Sequence, residues 1–140
     1  MAKNMRLTIF TDGASRGNPG PASYGFVILD EEGKLIYKKG EYIGHTTNNV
    51  AEYTAVWEAL KYTKKLMIGK KHSEIKLFAD SKLVAEQLSG NYRIKAEHLK
   101  PIIEKIKILS IELGGVIYSH VPRSQNILAD GIANHALDSR

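Results

Sequence analysis

EIKLFADSKLVAEQLSG, residues 74–90, joins two periodicities with no loop between them. Ile75, Leu77 and Ala79 alternate with Lys76 and Phe78 in the two-residue rhythm of a strand, and after Asp80 the pattern changes to a short helix ending at Gly90. A strand that runs straight into a helix begins a crossover, and crossovers set strands parallel.

The chain upstream reads differently. Leu7 to Asp12, Tyr24 to Asp30 and Lys34 to Tyr42 are expected as strands, with DEEG at 30–33 as the hairpin turn between the second and third. Tyr53, Val56, Trp57 and Leu60 recur at helical spacing. They predict a helix from about residue 50, capped by Asn48 or Asn49 and running into Lys61, Lys64, Lys65, Lys70 and Lys71.

Downstream of Gly90, Leu99, Ile102, Ile103 and Ile106 mark the buried face of a longer helix. Pro101 fits it only in the first turn, and Gly114-Gly115 ends it. Val116 to Val121 reads as a fifth strand closed by Pro122. From Gln125 a last helix is expected, with Ile127, Leu128, Ile132, Ala136 and Leu137 as its apolar positions. The order βββαβααβα implies an α/β fold: a five-stranded mixed sheet, with an antiparallel meander of strands 1–3 and parallel strands 4 and 5, flanked by helices. Residues 1–140 are expected to form one domain, since a chain of this length buries roughly 70% of its unfolded surface.

Composition narrows the chemistry. With no cysteine, disulfides, thiolate catalysis and sulfur-ligated zinc are excluded, and a reducing, cytoplasmic setting is expected. MAKNMRLTIF lacks the apolar stretch of a signal peptide, and no apolar run approaches the ~20 residues that cross a bilayer. No membrane role is expected. Twenty Lys and Arg against fifteen Asp and Glu give a net charge of +5, which suits a polyanionic partner. Much of that excess is the lysine cluster, where cations also suit a helix end.

Four acids stand out: Asp12, Glu52, Asp80 and Asp130. Each has an ordinary structural explanation. Asp12 precedes Gly13 as a turn residue would, and Asp80 can cap the helix beginning at Ser81. Glu52 lies at capping-box distance from Asn49, and Asp130 sits in the first turns of a helix, where the dipole favours an acid. Together they fall at strand ends and helix starts on one edge of the sheet, where α/β folds bind ligands. If strands one and four are neighbours, Asp12 and Asp80 meet. Clustered carboxylates repel unless a cation neutralises them, and Mg²⁺ prefers hard oxygen ligands of this kind. Such a site suits two-metal phosphodiester hydrolysis.

These residues lie in segments with a wider likeness. TDGASRGNPGPASYG at 11–25, TTNNVAEY at 46–53, ADS at 79–81 and NILAD at 126–130 resemble, in order, the motifs of type 1 ribonuclease H. The resemblance covers nearly the whole chain. It implies that Asp12, Glu52, Asp80 and Asp130 form a catalytic metal-binding quartet for two Mg²⁺ ions, with Mn²⁺ as the alternative. In it Asp12 bridges the ions, Asp130 completes the shell of one, and Glu52 and Asp80 complete that of the other. It implies cleavage of the RNA strand of an RNA/DNA hybrid by a monomeric enzyme, leaving 5′-phosphate and 3′-hydroxyl ends.

The resemblance also places Asn18, Asn48 and Asn49 where the family reads the RNA strand. An amide both donates and accepts, as a 2′-hydroxyl does. Thr47 matches a residue that grips a DNA phosphate. Its usual partners are missing, since His45 stands in place of a frequent arginine and Ala96 in place of an expected asparagine. The basic protrusion of some bacterial members is absent too, which leaves the lysine-rich helix end to supply affinity. For the loop histidine of those members, SHVPRSQN offers His120 or Arg123. His120 precedes Pro122 and is expected within the strand. Arg123 follows it and is the expected contact, acting on phosphate as a fixed charge. Double-stranded RNA is a further expected substrate, because it shares the A-form minor groove. A non-catalytic hybrid- or double-stranded-RNA-binding module is the alternative reading.

Overall fold

The computed structural model describes the backbone of residues 4–140, and their side chains except those of residues 4, 5 and 71–73. The start of MAKNMRLTIF and the Lys71 side chain therefore lie outside the described residues. The elements are β1 (Asn4–Ser15), β2 (Gly20–Leu29), β3 (Leu35–Thr46), α1 (Asn48–Leu66), β4 (Lys71–Ala79), α2 (Lys82–Leu88), α3 (Lys100–Glu112), β5 (Ile117–His120) and α4 (Ile127–Asp138). Their order is the expected one. The strands form one mixed sheet in the order β3-β2-β1-β4-β5, with β1 antiparallel to β2 and parallel to β4, and β4 parallel to β5.

The pairing explains where the strands outrun their expected ends. Parallel pairing of β1 with β4 stops at Thr11 opposite Ala79, whereas antiparallel pairing with β2 continues from Asp12 opposite Gly25 to Ser15 opposite Ala22. Asp12 is thus the first residue past the parallel ladder rather than the last of its strand. Asp80 holds the matching place after β4. Similarly, β3 continues to Thr46, paired with Gly20. The last helix begins at Ile127 instead of Gln125, because Arg123–Gln125 forms a 3₁₀ turn after Pro122. Pro101 does lie in the first turn of α3, where its missing N–H costs nothing.

The main core lies on one face of the sheet. Leu7, Ile9, Tyr24, Phe26, Ile75 and Leu77 pack there against Tyr53, Val56 and Leu60 of α1 and Ile103 and Ile106 of α3. On the other face α4 sits close to β2, with Ala129, Ala133 and Leu137 buried. The approach is possible because residue 25 is glycine: a Cβ there would lie 2.6 Å from the Ala133 nitrogen. Ser23 fastens the same contact by donating its hydroxyl to the Ala133 carbonyl at 2.5 Å. The two layers therefore deliver α1 and α4 to the same end of β1.

Candidate metal centre and nucleic-acid interface

The start of α1 departs from expectation in its cap. Thr47, not Asn48 or Asn49, is the N-cap, its Oγ1 accepting the Val50 N–H at 3.2 Å. The preceding extended residue was the better cap because Asn48 already has helical geometry, which leaves both asparagines free of capping. The capping-box reading of Glu52 fails for the same reason. Glu52 is instead turned inward, 4% exposed. Gly13 passes so close to α1 that a Cβ would lie 2.4 Å from the Glu52 nitrogen. This close passage sets Asp12 beside Glu52.

The capping reading of Asp80 also gives way. Ser81 caps α2, accepting the Val84 N–H at 3.3 Å, and leaves the Asp80 carboxylate uncommitted. Thr11 reinforces the strand junction by donating to the Phe78 carbonyl at 3.2 Å. One carboxylate oxygen from each of Asp12, Glu52 and Asp80 lies within 4.8 Å of the others. At that separation two ionised carboxylates repel by roughly 3–4 kcal/mol at an effective dielectric constant of about 20.

Burial compounds the repulsion. Burial first, then the charges of Glu52 and its neighbours, hold the Asp12 carboxyl far above the ordinary carboxylate range. Burial, with the Asp80 charge adding to it, pushes Glu52 up as well, against opposing hydrogen bonds from Asp12 and the Gly13 backbone. Among the described residues, Glu52 Oε2 is buried with no hydrogen-bond partner. A lone pair of this kind, inside a knot of hard oxygen donors, fits a divalent cation.

Asp130 reaches the same cavity from the opposite layer, in the first turn of α4. It stands outside the tight group of three but contacts Asp12, whose pKa it helps to raise. Its Oδ1 accepts from Asn134 Nδ2 at 3.2 Å, and Arg123 Nη2 lies 3.6 Å from the same oxygen. The buried Asn126 ties the start of α4 to β1, donating its amide to the Thr11 carbonyl at 2.9 Å. The sequence reading missed Asn126 as a site-building residue, since it placed Asn126 inside a helix beginning at Gln125. Its side chain makes no capping bond here.

The cavity has a volume of about 380 Å³, and its lining includes all four acids, Asn48 and Arg123. His120 ends β5 opposite Ala79, within the strand as expected, and is not among the lining residues. The remaining expected contacts are divided. Asn18 lies behind Asn48, its Oδ1 accepting the Asn48 N–H at 2.9 Å. Asn49 opens onto a neighbouring groove of about 550 Å³ with Tyr92, Arg93 and Lys95. Thr47 is engaged as the cap. The lysine-rich end of α1 is remote: Lys64 follows Glu52 by twelve residues, about 18 Å along the axis. Lys61 and Lys64 are also ion-paired, with Glu58 and Glu112.

Comparison with known proteins agrees with this arrangement. Residues 10–136 match the family model described as Reverse transcriptase-like. The chain is 38% identical to the bifunctional protein Rv2228c of Mycobacterium tuberculosis over 96% of its own length, but spans only 36% of that protein. It is 38% identical to ribonuclease HI of Halobacterium salinarum over 95% of its length, spanning 65% of that relative. The crystal structure of LC11-RNase H1 in complex with an RNA/DNA hybrid superposes with a TM-score of 0.91 at 39% identity, covering 95% of this chain and 97% of that one. With four ordered motifs, a family-model match over residues 10–136 and a shared fold at 39% identity, the chain belongs to the type 1 ribonuclease H family.

Proposed function

We propose that this protein is a metal-dependent endoribonuclease that hydrolyses the RNA strand of RNA/DNA hybrids, leaving 5′-phosphate and 3′-hydroxyl ends. Residues 1–140 act as one catalytic domain, and the enzyme works as a cytoplasmic monomer. The observation that carries the reading is the convergence of Asp12, Glu52 and Asp80 around a buried, unpartnered Glu52 oxygen. The hybrid bound by LC11-RNase H1, similar in sequence and shape, supports the choice of substrate.

Asp12, Glu52 and Asp80 would hold two Mg²⁺ ions, with Mn²⁺ as an alternative, and Asp130 would complete the set. When bound, these ions supply Lewis acidity that eases deprotonation of the attacking water and offsets charge on the leaving oxygen. The protein's own groups do the rest. Burial and mutual repulsion favour the protonated forms of Asp12 and Glu52 in the absence of a cation, and a bound cation would favour loss of those protons. Asn48, on the cavity wall, offers an amide to the 2′-hydroxyl that distinguishes RNA from DNA. The Asn18 oxygen already serves Asn48, so Asn18 acts on the substrate through its NH₂ group. Asn49 reaches the duplex from the adjoining groove, and Thr47 contacts phosphate while capping α1. Arg123 adds a fixed positive charge over the phosphate and moves no proton.

The test is a substrate panel. Labelled hybrid, double-stranded RNA and double-stranded DNA are incubated with Mg²⁺ or Mn²⁺ and either the wild type or Asp12→Asn. Cleavage of the RNA strand of the hybrid by the wild type alone is the expected result. Equal cleavage by both proteins overturns the metal mechanism. Tight hybrid binding with no cleavage in either metal identifies a binding module instead, and the double-stranded RNA arm reads the breadth of specificity directly.

A further inference from the structure

Asp130 differs from its three companions in how it is held. Asp12, Glu52 and Asp80 are crowded together, whereas Asp130 reaches the cavity from the first turn of α4, outside that group. Besides its contact with Asp12, a chain of hydrogen bonds along one stripe of the helix constrains it. Asn134 Nδ2 donates to the Asp130 carbonyl at 2.9 Å and to its Oδ1 at 3.2 Å. Asn134 Oδ1 in turn accepts from Arg16 Nη1 at 3.1 Å, and Arg16 Nη2 donates to Asp138 Oδ1 at 2.6 Å. Asp130, Asn134 and Asp138 are spaced four residues apart, so they share one face of α4.

The direction of these bonds matters. An amide can present either its oxygen or its NH₂ group to a neighbour, and a guanidinium only donates. Arg16 therefore fixes the Asn134 oxygen toward itself and turns the NH₂ group toward Asp130. Arg123 approaches the same Asp130 oxygen but is 79% exposed and not built to hold it. Nor is the Arg16–Asp138 pair a stability device, since its side chains are 45% and 64% exposed and such pairs contribute little to folding.

We propose that Arg16 is a positioning residue for Asp130, acting through Asn134, with Asp138 holding the guanidinium in place. The inference rests on the reading of Asp130 as a member of the metal site. Arg16 follows β1 directly, three residues after Asp12's neighbour Gly13, so the device links the two layers that meet at the cavity.

The test uses Arg16→Ala, Arg16→Lys, Asn134→Leu and the Arg16→Ala/Asn134→Leu double variant. First, the Asn134 side-chain amide and the Asp130 carboxyl carbon are followed by NMR in metal-free protein. Loss of Arg16 is expected to speed solvent exchange of the Asn134 amide and move the Asp130 resonance. In turnover, Arg16→Ala should lower kcat about tenfold, raise the Mg²⁺ concentration needed for half-maximal rate, and leave KM for hybrid within about twofold. Arg16→Lys should not rescue, because an ammonium lacks the fork that serves both acceptors. The double variant should be no slower than Asn134→Leu, as expected for residues acting in series. Unchanged Asn134 and Asp130 resonances in Arg16→Ala overturn the proposal, as do additive losses in the double variant or a rise in KM alone. The resonances need neither metal nor substrate, so failure of the relay is separable from failure of the hydrolysis reading, which wild-type turnover reports.

Discussion

The Asn18 side-chain oxygen accepts the backbone N–H of Asn48 at 2.9 Å, joining the turn after β1 to the first residue of α1. The bond ties together two segments thirty residues apart in sequence. It commits the Asn18 amide oxygen to the protein, so on the proposed reading only its NH₂ group is offered to the substrate.

Asn18→Asp separates those uses. The variant keeps the acceptor for Asn48 but replaces the donor with a negative charge facing a phosphate backbone. Thermal unfolding should stay close to wild type, while KM for hybrid rises about tenfold, or ~1.4 kcal/mol of binding. Asn18→Ala loses both roles and should lower the unfolding midpoint as well. A normal KM for Asn18→Asp would remove Asn18 from the interface.

A second expectation concerns pH. Folding raises the carboxyl pKa of Asp12 from 3.8 and that of Glu52 from 4.5, the latter to about 8. The native state therefore holds more protons than the unfolded state between these limits, and stability falls as pH rises. The contribution is fully present below the unfolded values and is lost as pH passes through the folded ones. In EDTA, the unfolding midpoint should drop steadily as pH rises from about 4.5 to about 8. Mg²⁺ should flatten the slope by replacing the protons, and Asp12→Asn should reduce it without metal. A flat profile in EDTA is incompatible with this picture.

Gly25 bears on α4. A Cβ there would meet the Ala133 nitrogen at 2.6 Å and the Ala129 carbonyl at 2.8 Å, both of them backbone atoms that cannot swing aside. Gly25→Ala should push α4 off the sheet, costing about 1–3 kcal/mol of stability. It should also lower kcat, because Asp130 travels with the helix. Calorimetry and turnover on the same sample check both, and a wild-type midpoint would show that α4 has slack.

How far the site could be read in advance depended on where its constraints lie. Asp12 and Asp80 were accessible because both stand at strand ends in recognisable motifs, and the pairing of β1 with β4, which the sequence left conditional, makes them neighbours. The α1 cap was misplaced by one residue: TTNN offers three consecutive capping side chains, and only backbone geometry selects Thr47. Strand ends were set short because period and polarity do not reveal that β1 keeps pairing with β2 after leaving β4. The orientation of Asp130 was out of reach. It depends on Arg16, whose partners lie 118 and 122 residues away, and no local pattern marks such a contact.

Glu52→Gln shows whether the buried carboxylate knot holds cations for RNA hydrolysis. The substitution keeps size and hydrogen-bonding capacity while removing the charge behind the unpartnered Oε2. Turnover of the RNA strand in a labelled hybrid should be measured at saturating Mg²⁺ for wild type and variant. A loss on the order of 10³-fold is predicted, since metal-ion stabilisation amounts to several kcal/mol, with an unfolding midpoint in EDTA no lower than wild type. A variant that cleaves the hybrid at the wild-type rate would contradict the account.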